Sequence, residues 1–448
     1  MSDLLRRARS LPLLLLLMLA ACAAFQPAAE QQPPIVFVHG DGDNAAVWET
    51  TIWRFESNGY ERKLLHAVDF TNPFARDEDA KPQPLRSSTA DEMAQLTRKV
   101  ADVRRLTGRD KVVLIGNSRG GYAIRNYLKN GGGTAYVSQA VLCGTPNHGV
   151  YDWEETRGSE FNAKGAFLTQ LNAGPDEVVA GVRFMTIRSD SNDKYAQPDG
   201  MFLGKPGRPT HVGYDGPALK GAENVVIPKI DHRETAFSPL AFAQMHRFIT
   251  GRAPARMDIA PEAQVVLNGK VNDLQSGRPT NLPVAGARVE IYQVSAATGA
   301  REGAAVHAKT TAADGLWGPF TAKPGAYYEF VIQVPGHAIT HVYRSPFPRS
   351  SDIVHLRPAD FAKGDATAGS VAIIYRPRGY FGHGRDTFLL DGKVPPGINQ
   401  GVPGGYVGKL LLPDGPLRPV PARVNDETIT LQNWPAKDNH IVFAEFHY

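Results

Sequence analysis

At 448 residues the chain exceeds one ordinary core, so two or three domains are expected. Hydrophobic residues at 42% and charged residues at 21% exclude an unfolded, solvated chain. A formal charge of +4 without a Lys/Arg run leaves no footprint for nucleic acid, and two cysteines supply no disulfide framework once Cys22 is assigned to an export signal.

The signal comes first. Arg6-Arg7-Ala8-Arg9 precedes an apolar run from Leu11 to Leu19 that is too short to span a membrane stably. Residues 1–21 carry one acid and three arginines, so their removal leaves a formal +2. Leu19-Ala20-Ala21-Cys22 resembles the lipobox of bacterial lipoproteins, which implies a lipidated Cys22 and attachment to a membrane surface. Cleavage at neighbouring small residues would instead release a secreted product. The expected locations are therefore outer membrane, cell surface or medium.

After a Gln/Pro-rich spacer, strand and helix patterns alternate. Apolar β-rich runs stand at 35–38, 64–68, 112–115, 137–143, 182–187 and 225–230. Between the second and third lies a helix in which Thr89 and Glu92 have capping-box spacing and Met93, Leu96, Val100 and Val103 recur at helical intervals. Helices are also expected over 121–128 and 239–249. Apolar strands alternating with amphipathic helices predict an α/β fold with a parallel sheet covered on both faces.

The alternation stops near Gly251. Beyond Ala263 short strands follow one another at 265–271 and 287–292, with Asp314-Gly315 and Lys323-Pro324-Gly325 as turns. A second all-β block has strands at 371–375 and 441–444. The expected boundaries are 1–22 for the signal, 33–252 for the α/β domain, 262–358 for a β-sandwich and 366–448 for a second all-β domain. The aromatics Trp317, Tyr327, Tyr328, Phe330, Tyr380, Phe381 and Trp434 either fill these cores or form an exposed patch that docks on an insoluble ester.

One constellation carries chemistry. Gly116-Asn117-Ser118-Arg119-Gly120 fits G-x-S-x-G directly between a strand and a helix, where a sharp turn lifts a serine hydroxyl out of the sheet. A serine nucleophile needs a base oriented by a carboxylate, in the chain order Ser, acid, His. His232 follows the 225–230 strand and is the candidate base. Asp193 and Asp190 both lie after the 182–187 strand; Asp193 is favoured and Asp190 is the alternative acid. Backbone N–H groups of Arg119 and of Asp41, after His39-Gly40, are the candidate oxyanion donors. His39 is expected to be a structural support, and Cys143, in an apolar run, a small buried hydrophobe.

Val36-Phe37-Val38-His39-Gly40, Gly116-Asn117-Ser118-Arg119-Gly120-Gly121, Gly144-Thr145-Pro146-Asn147-His148-Gly149 and Phe167-Leu168-Thr169-Gln170-Leu171-Asn172 resemble segments of bacterial lipases. The resemblance covers about residues 33–251 and implies an α/β-hydrolase that cleaves carboxylic esters of lipid or other acids, without a cofactor or metal. It departs at Asn117 and Arg119, which leaves the oxyanion-side pocket and substrate preference open. Asp193-Lys194-Tyr195-Ala196-Gln197-Pro198 resembles the acid-x-x-x-x-Pro continuation of lipases. Residues 148–182, with Trp153, Phe161, Phe167, Leu168 and Leu171, occupy the place of a cap, and 196–222 a second insertion. Pro283-Val284-Ala285-Gly286-Ala287 and Ala313-Asp314-Gly315 liken the next domain to transthyretin-like or carboxypeptidase-regulatory-like sandwiches, and the layout is similar to that of an archaeal lipase. Two other functions use the same residues differently: an extracellular polyester depolymerase, and a surface lipid- or glycan-binding lipoprotein with an inactive hydrolase domain.

Overall fold

The computed structural model describes residues 32–448; the segment expected to be an export signal and Cys22 lie outside the described residues. Six parallel strands form the first sheet: β1 (Ile35–Val38), β2 (Leu65–Ala67), β3 (Val112–Asn117), β4 (Val137–Cys143), β5 (Arg183–Arg188) and β6 (Glu223–Val226), in the spatial order β2-β1-β3-β4-β5-β6. Both faces are covered because alternate residues of the same apolar strands point to opposite sides. Ile35, Phe37, Val113 and Ile115 join one core with Phe55, Phe242 and Met245. Val36, Val38, Val112 and Leu114 join the other with Leu96, Val100, Ile124 and Tyr127. The longer helices are α1 (Glu49–Ser57), α2 (Thr89–Thr107), α3 (Arg119–Asn130) and α4 (Pro239–Thr250), and shorter ones stand at Ala166–Leu171 and Glu234–Phe237.

Two local expectations shift. The capping box of α2 is built by Ser88 and Asp91, one residue earlier than Thr89 and Glu92. Glu92 is instead buried and pairs with Arg119 across the helix interface. The strand expected at 225–230 ends at Val226, because Lys229 takes a positive φ of 67° and turns the chain toward His232.

The two expected β domains share a sheet. Seven strands run in the order His307–Thr310, Arg288–Val294, Tyr327–Gln333, Ile339–Arg344, His440–Glu445, Ser370–Tyr375 and Val407–Leu412. The last strand of the chain, His440–Glu445, lies parallel between Ile339–Arg344 and Ser370–Tyr375. Strand pairing therefore runs continuously across the boundary expected between 358 and 366. On one part of the sheet Val289, Ile291, Phe330 and Ile332 pack with Leu267 and Trp317. On another, Ile374, Val442 and Ala444 pack on Val420, Ala422 and Val424 of the strand Pro419–Val424, whose burial alternates with period two. Trp317, Tyr328, Phe330, Tyr380 and Phe381 are all buried, so they do not form the exposed patch, and Tyr327 and Trp434 are half-buried.

This β unit also packs tightly on the α/β domain. Trp53 of α1 enters the β core and donates from Nε1 to the Ser350 carbonyl at 2.9 Å. Asp69 meets both Lys270 and His355 at 2.9 Å. Arg378 forms a fully buried ion pair with Glu49 of α1. Removing one member of such a pair leaves an uncompensated charge away from water, at a cost of about 3–5 kcal/mol. Arg378→Met is expected to lower stability by about that amount in urea denaturation, and Arg378→Met with Glu49→Gln to recover most of it. Equal midpoints for wild type and the single variant would contradict the buried pair.

Candidate active site

The turn at Ser118 follows from its neighbours. Ser118 has φ 52° and ψ −123°, a sparsely populated conformation that costs about 1–3 kcal/mol and persists only where its surroundings impose it. Its N–H donates to the Cys143 carbonyl at 2.8 Å, and its own carbonyl accepts from Gly121 N–H at 3.0 Å. A Cβ on Gly120 would stand 2.5 Å from the carbonyl oxygens of Val38 and His39, and one on Gly116 2.8 Å from the Gly120 backbone. Small residues are therefore required on both sides of the turn.

His232 and Asp193 are both buried, and His232 Nδ1 meets Asp193 Oδ2 at 2.9 Å. The other carboxylate oxygen, Oδ1, accepts from Tyr195 N–H at 2.9 Å, and the Tyr195 ring stands edge-on to the imidazole at 4.7 Å. His232 Nε2 has no hydrogen-bond partner among the described residues. With Nδ1–H donated to the carboxylate, Nε2 keeps its lone pair free to take a proton. His232 and Ser118 line one cavity of about 530 Å³ together with Asp41.

Asp190 does other work. Its Oδ2 accepts from Lys229 N–H at 2.9 Å and its Oδ1 from Asn192 N–H at 3.1 Å, so it braces the loop that leads to His232. Burial alone would raise its pKa, but these hydrogen bonds lower it. Of the two sequence candidates, the structure brings only Asp193 to the imidazole.

The backbone at Gly40 lies against Ser118: a Cβ there would meet Ser118 Cβ at 3.0 Å and the Asn117 carbonyl at 3.2 Å. Asp41 thus follows directly beside Ser118, while Arg119 opens α3, where an amide lacks an intrahelical acceptor. The Asp41 carboxylate accepts from Ala75 N–H at 2.7 Å, and burial raises its pKa. His39 is a support: Nδ1 donates to the Gly40 carbonyl at 2.8 Å, Nε2 accepts from Phe70 N–H at 3.0 Å, and burial lowers its pKa. Cys143 is a buried free thiol whose pKa burial raises.

Arg119 differs from expectation. Its side chain is fully buried, pairs with Glu160 at 2.7 Å and Glu92 at 2.5 Å, and is not among the residues lining the cavity. Burial works against its charge, but Glu160 and Glu92 keep it protonated. Neither glutamate was identifiable as its partner from sequence, since they lie 27 residues before it and 41 after.

The cavity wall mixes aromatic rings from several parts of the chain with the charged side chains of Asp41, Asp43, Asp77, Lys194 and Arg233. Trp153 and Phe161 belong to the expected cap, whereas Phe167, Leu168 and Leu171 pack beneath it on Tyr122. Leu203 comes from the second insertion, and Tyr380 and Tyr406 from the C-terminal β unit. Arg233 lies over both of these tyrosine rings, at 5.2 and 4.6 Å, and pairs with Asp43 at 2.5 Å. A second cavity, of about 260 Å³, touches the other side of Asp193 and His232, and Ser118 is not among its lining residues. Among the described residues no group of three or more His, Cys, Asp or Glu is arranged to hold a metal ion.

Fold and site together define a lipase-like α/β-hydrolase domain followed by a β-rich unit. Residues 32–199 match the family described as lipase (class 2), and residues 263–361 match the lipase C-terminal domain. Among curated proteins none matches. Similar solved structures include Aspergillus fumigatus lipase B (14% identity, 52% of this chain and 56% of that one, TM-score 0.36). A Listeria innocua gene product has 14% identity over 51% of this chain and 97% of its own, with TM-score 0.35. Bacillus licheniformis lipase BlEst2 in its mature form has 19% identity over 50% and 95%, with TM-score 0.36. The chain thus spans little more than half the length of the Aspergillus fumigatus protein.

Lys194 is the unforeseen cation of the cavity. Its Nζ donates to the Gly404 carbonyl at 3.0 Å and lies over the rings of Tyr380 and Tyr195 at 4.0 and 4.8 Å. Burial, with the neighbouring Arg233, lowers its pKa to about 8 from 10.5. Between those values the unfolded chain binds the extra proton, so this site's contribution to stability rises with pH across that window. Lys194→Met is expected to flatten the rise in unfolding midpoint above pH 8, measured from pH 7 to 10. An unchanged pH slope would show that Lys194 titrates normally.

Proposed function

We propose that this protein is a serine carboxylic-ester hydrolase that works through an acyl-enzyme. The single observation that carries the reading is the imidazole of His232, held at Nδ1 by Asp193 with Nε2 unpartnered in the cavity that contains Ser118. Ser118 Oγ attacks the ester carbonyl as His232 Nε2 takes its proton. The tetrahedral oxyanion is stabilised by the backbone N–H groups of Asp41 and Arg119. Collapse breaks the C–O bond, with His232 returning the proton to the leaving alcohol. Water, deprotonated by the same nitrogen, then attacks the acyl-enzyme and releases the acid. The aromatic rings of the wall suit an ester with a bulky apolar acyl or alcohol group, a lipid ester among them. We further propose export, with Cys22 as the point of lipid attachment, which metabolic labelling with a fatty-acid analogue tests directly.

Two variants examine the mechanism. Ser118→Ala is expected to keep the wild-type unfolding midpoint within a few degrees and to lose hydrolysis of p-nitrophenyl esters by several orders of magnitude. A fluorophosphonate probe should label wild type alone; equal labelling of both would remove Ser118 from the chemistry. Asp193→Asn should lower kcat by about 10⁴-fold through the wrong imidazole tautomer. Asp190→Asn should cost much less, through loosening of the Lys229 turn. The reverse ranking would reassign the acid.

A further inference from the structure

His232 sits in a short turn whose fixation is divided between the two halves of the molecule. Its start is held by the hydrolase domain, where Asp190 accepts from Lys229 N–H and Ser189 Oγ donates to the Ile230 carbonyl. Its end is wrapped around Asp231. One oxygen of that carboxylate, Oδ1, accepts from Arg233 N–H at 2.9 Å and Glu234 N–H at 3.0 Å. Asp231 N–H in turn donates to Glu234 Oε2 at 2.6 Å. The backbone of His232 therefore lies inside a reciprocal cap formed by its two acidic neighbours.

That cap concentrates negative charge where water cannot reach it. Asp231 is fully buried, and the carboxylates of Glu234 and Asp386 are close by. The cations in direct ion pairs with them are Arg376 and Arg385 of the C-terminal unit, and Lys194 of the α/β half adds a longer-range attraction to Asp231. Arg385 meets Asp231 at 3.1 Å, Glu234 at 2.8 Å and Asp386 at 2.7 Å. Arg376 meets Glu234 at 2.7 Å, Asp231 at 3.5 Å and Asp386 at 3.7 Å. Tyr380 N–H donates to Asp231 Oδ2 at 2.7 Å, and the Tyr380 carbonyl accepts from both arginines. Without these partners Asp231 and Glu234 would repel each other across the residue that lies between them in sequence with Arg233, namely His232.

We infer that Arg385 and Arg376 of the C-terminal β unit are positioning residues for the base, locking the Asp231–Glu234 turn so that His232 keeps its contact with Asp193 in the cavity it shares with Ser118. The β unit is thereby part of the active site and not a separable docking module. A chain truncated near Gly251 would lose its base geometry even for a small soluble ester. The inference rests on the hydrolase reading above for its kinetic consequence, although the geometry of His232 can be observed without turnover.

Arg385→Gln in the full chain is the test, with Arg385→Lys as the conservative rescue. A displacement near 1 Å can cost about 100-fold in rate, so Arg385→Gln should lower kcat, and the rate of fluorophosphonate labelling, by about that factor. KM for a short p-nitrophenyl ester should stay within about threefold, because substrate contacts are untouched. Arg385→Lys should recover most of the loss. In proton NMR the downfield His232 Nδ1–H resonance, assigned by its loss in His232→Ala, should vanish or broaden in Arg385→Gln and return in Arg385→Lys. Wild-type kcat and labelling in Arg385→Gln would overturn the inference. So would a fall in kcat that matches a loss of folded fraction while the resonance is unchanged. Should Arg385→Gln not fold, Arg376→Gln, with Arg376→Lys as its conservative rescue, is judged by the same split. Failure of the wild type to be labelled or to cleave any ester would sink the hydrolase reading instead, and the NMR signal would still decide the clamp.

Discussion

The structure depends on a backbone that is forced at Ser118 into a conformation few residues adopt. Every nearby feature serves that turn: the carbonyls of Val38 and His39 press on Gly120, Cys143 accepts the serine amide, and Gly40 runs against its Cβ. Strain of this kind persists only when several elements overdetermine it. Here three adjacent strands, β1, β3 and β4, do so, and all of them are buried on both faces. A flexible loop could hold a serine in a cavity, but not in a posture that depends on three strands at once.

Charge inside the protein is arranged around the same centre. Arg119 ties the start of α3 to Glu92 and Glu160 beneath the surface, where one guanidinium satisfies two carboxylates with 2.5–2.8 Å contacts. On the other side, Arg376 and Arg385 answer the acids flanking His232. Buried ion pairs contribute little net stability, because desolvation offsets the attraction, yet their loss is costly and their geometry is directional. Their placement next to Ser118 and His232 fits a role in holding orientation more than in raising stability.

The C-terminal unit consequently has two faces. Its interior is a conventional β core of aromatic and β-branched residues. Its edge supplies Tyr380 and Tyr406 to the cavity wall and arginines to the turn of the base. A substrate entering this cavity would touch both halves of the chain. The cavity wall therefore belongs to the assembled molecule, and the α/β domain by itself would present an incomplete wall.

The sequence by itself determined the elements whose signals are local. The parallel sheet followed from apolar runs, the Ser118 turn from small residues between a strand and a helix, and His232 from its order and its loop. Asp193 and Asp190 were both legible, but choosing between them required knowing which carboxylate reaches the imidazole, a distance set by the fold. Glu92 read as a helix cap because spacing reports only neighbours along the chain, whereas its partner Arg119 is 27 residues away. The joined β sheet was hidden for the same reason: His440–Glu445 inserts between strands some 70 to 100 residues earlier in the chain, and strand composition carries no record of its neighbour. No local pattern in the sequence marks Arg376 or Arg385. Only the docking of the β unit brings them to Asp231, where burial turns a nearby charge into a constraint.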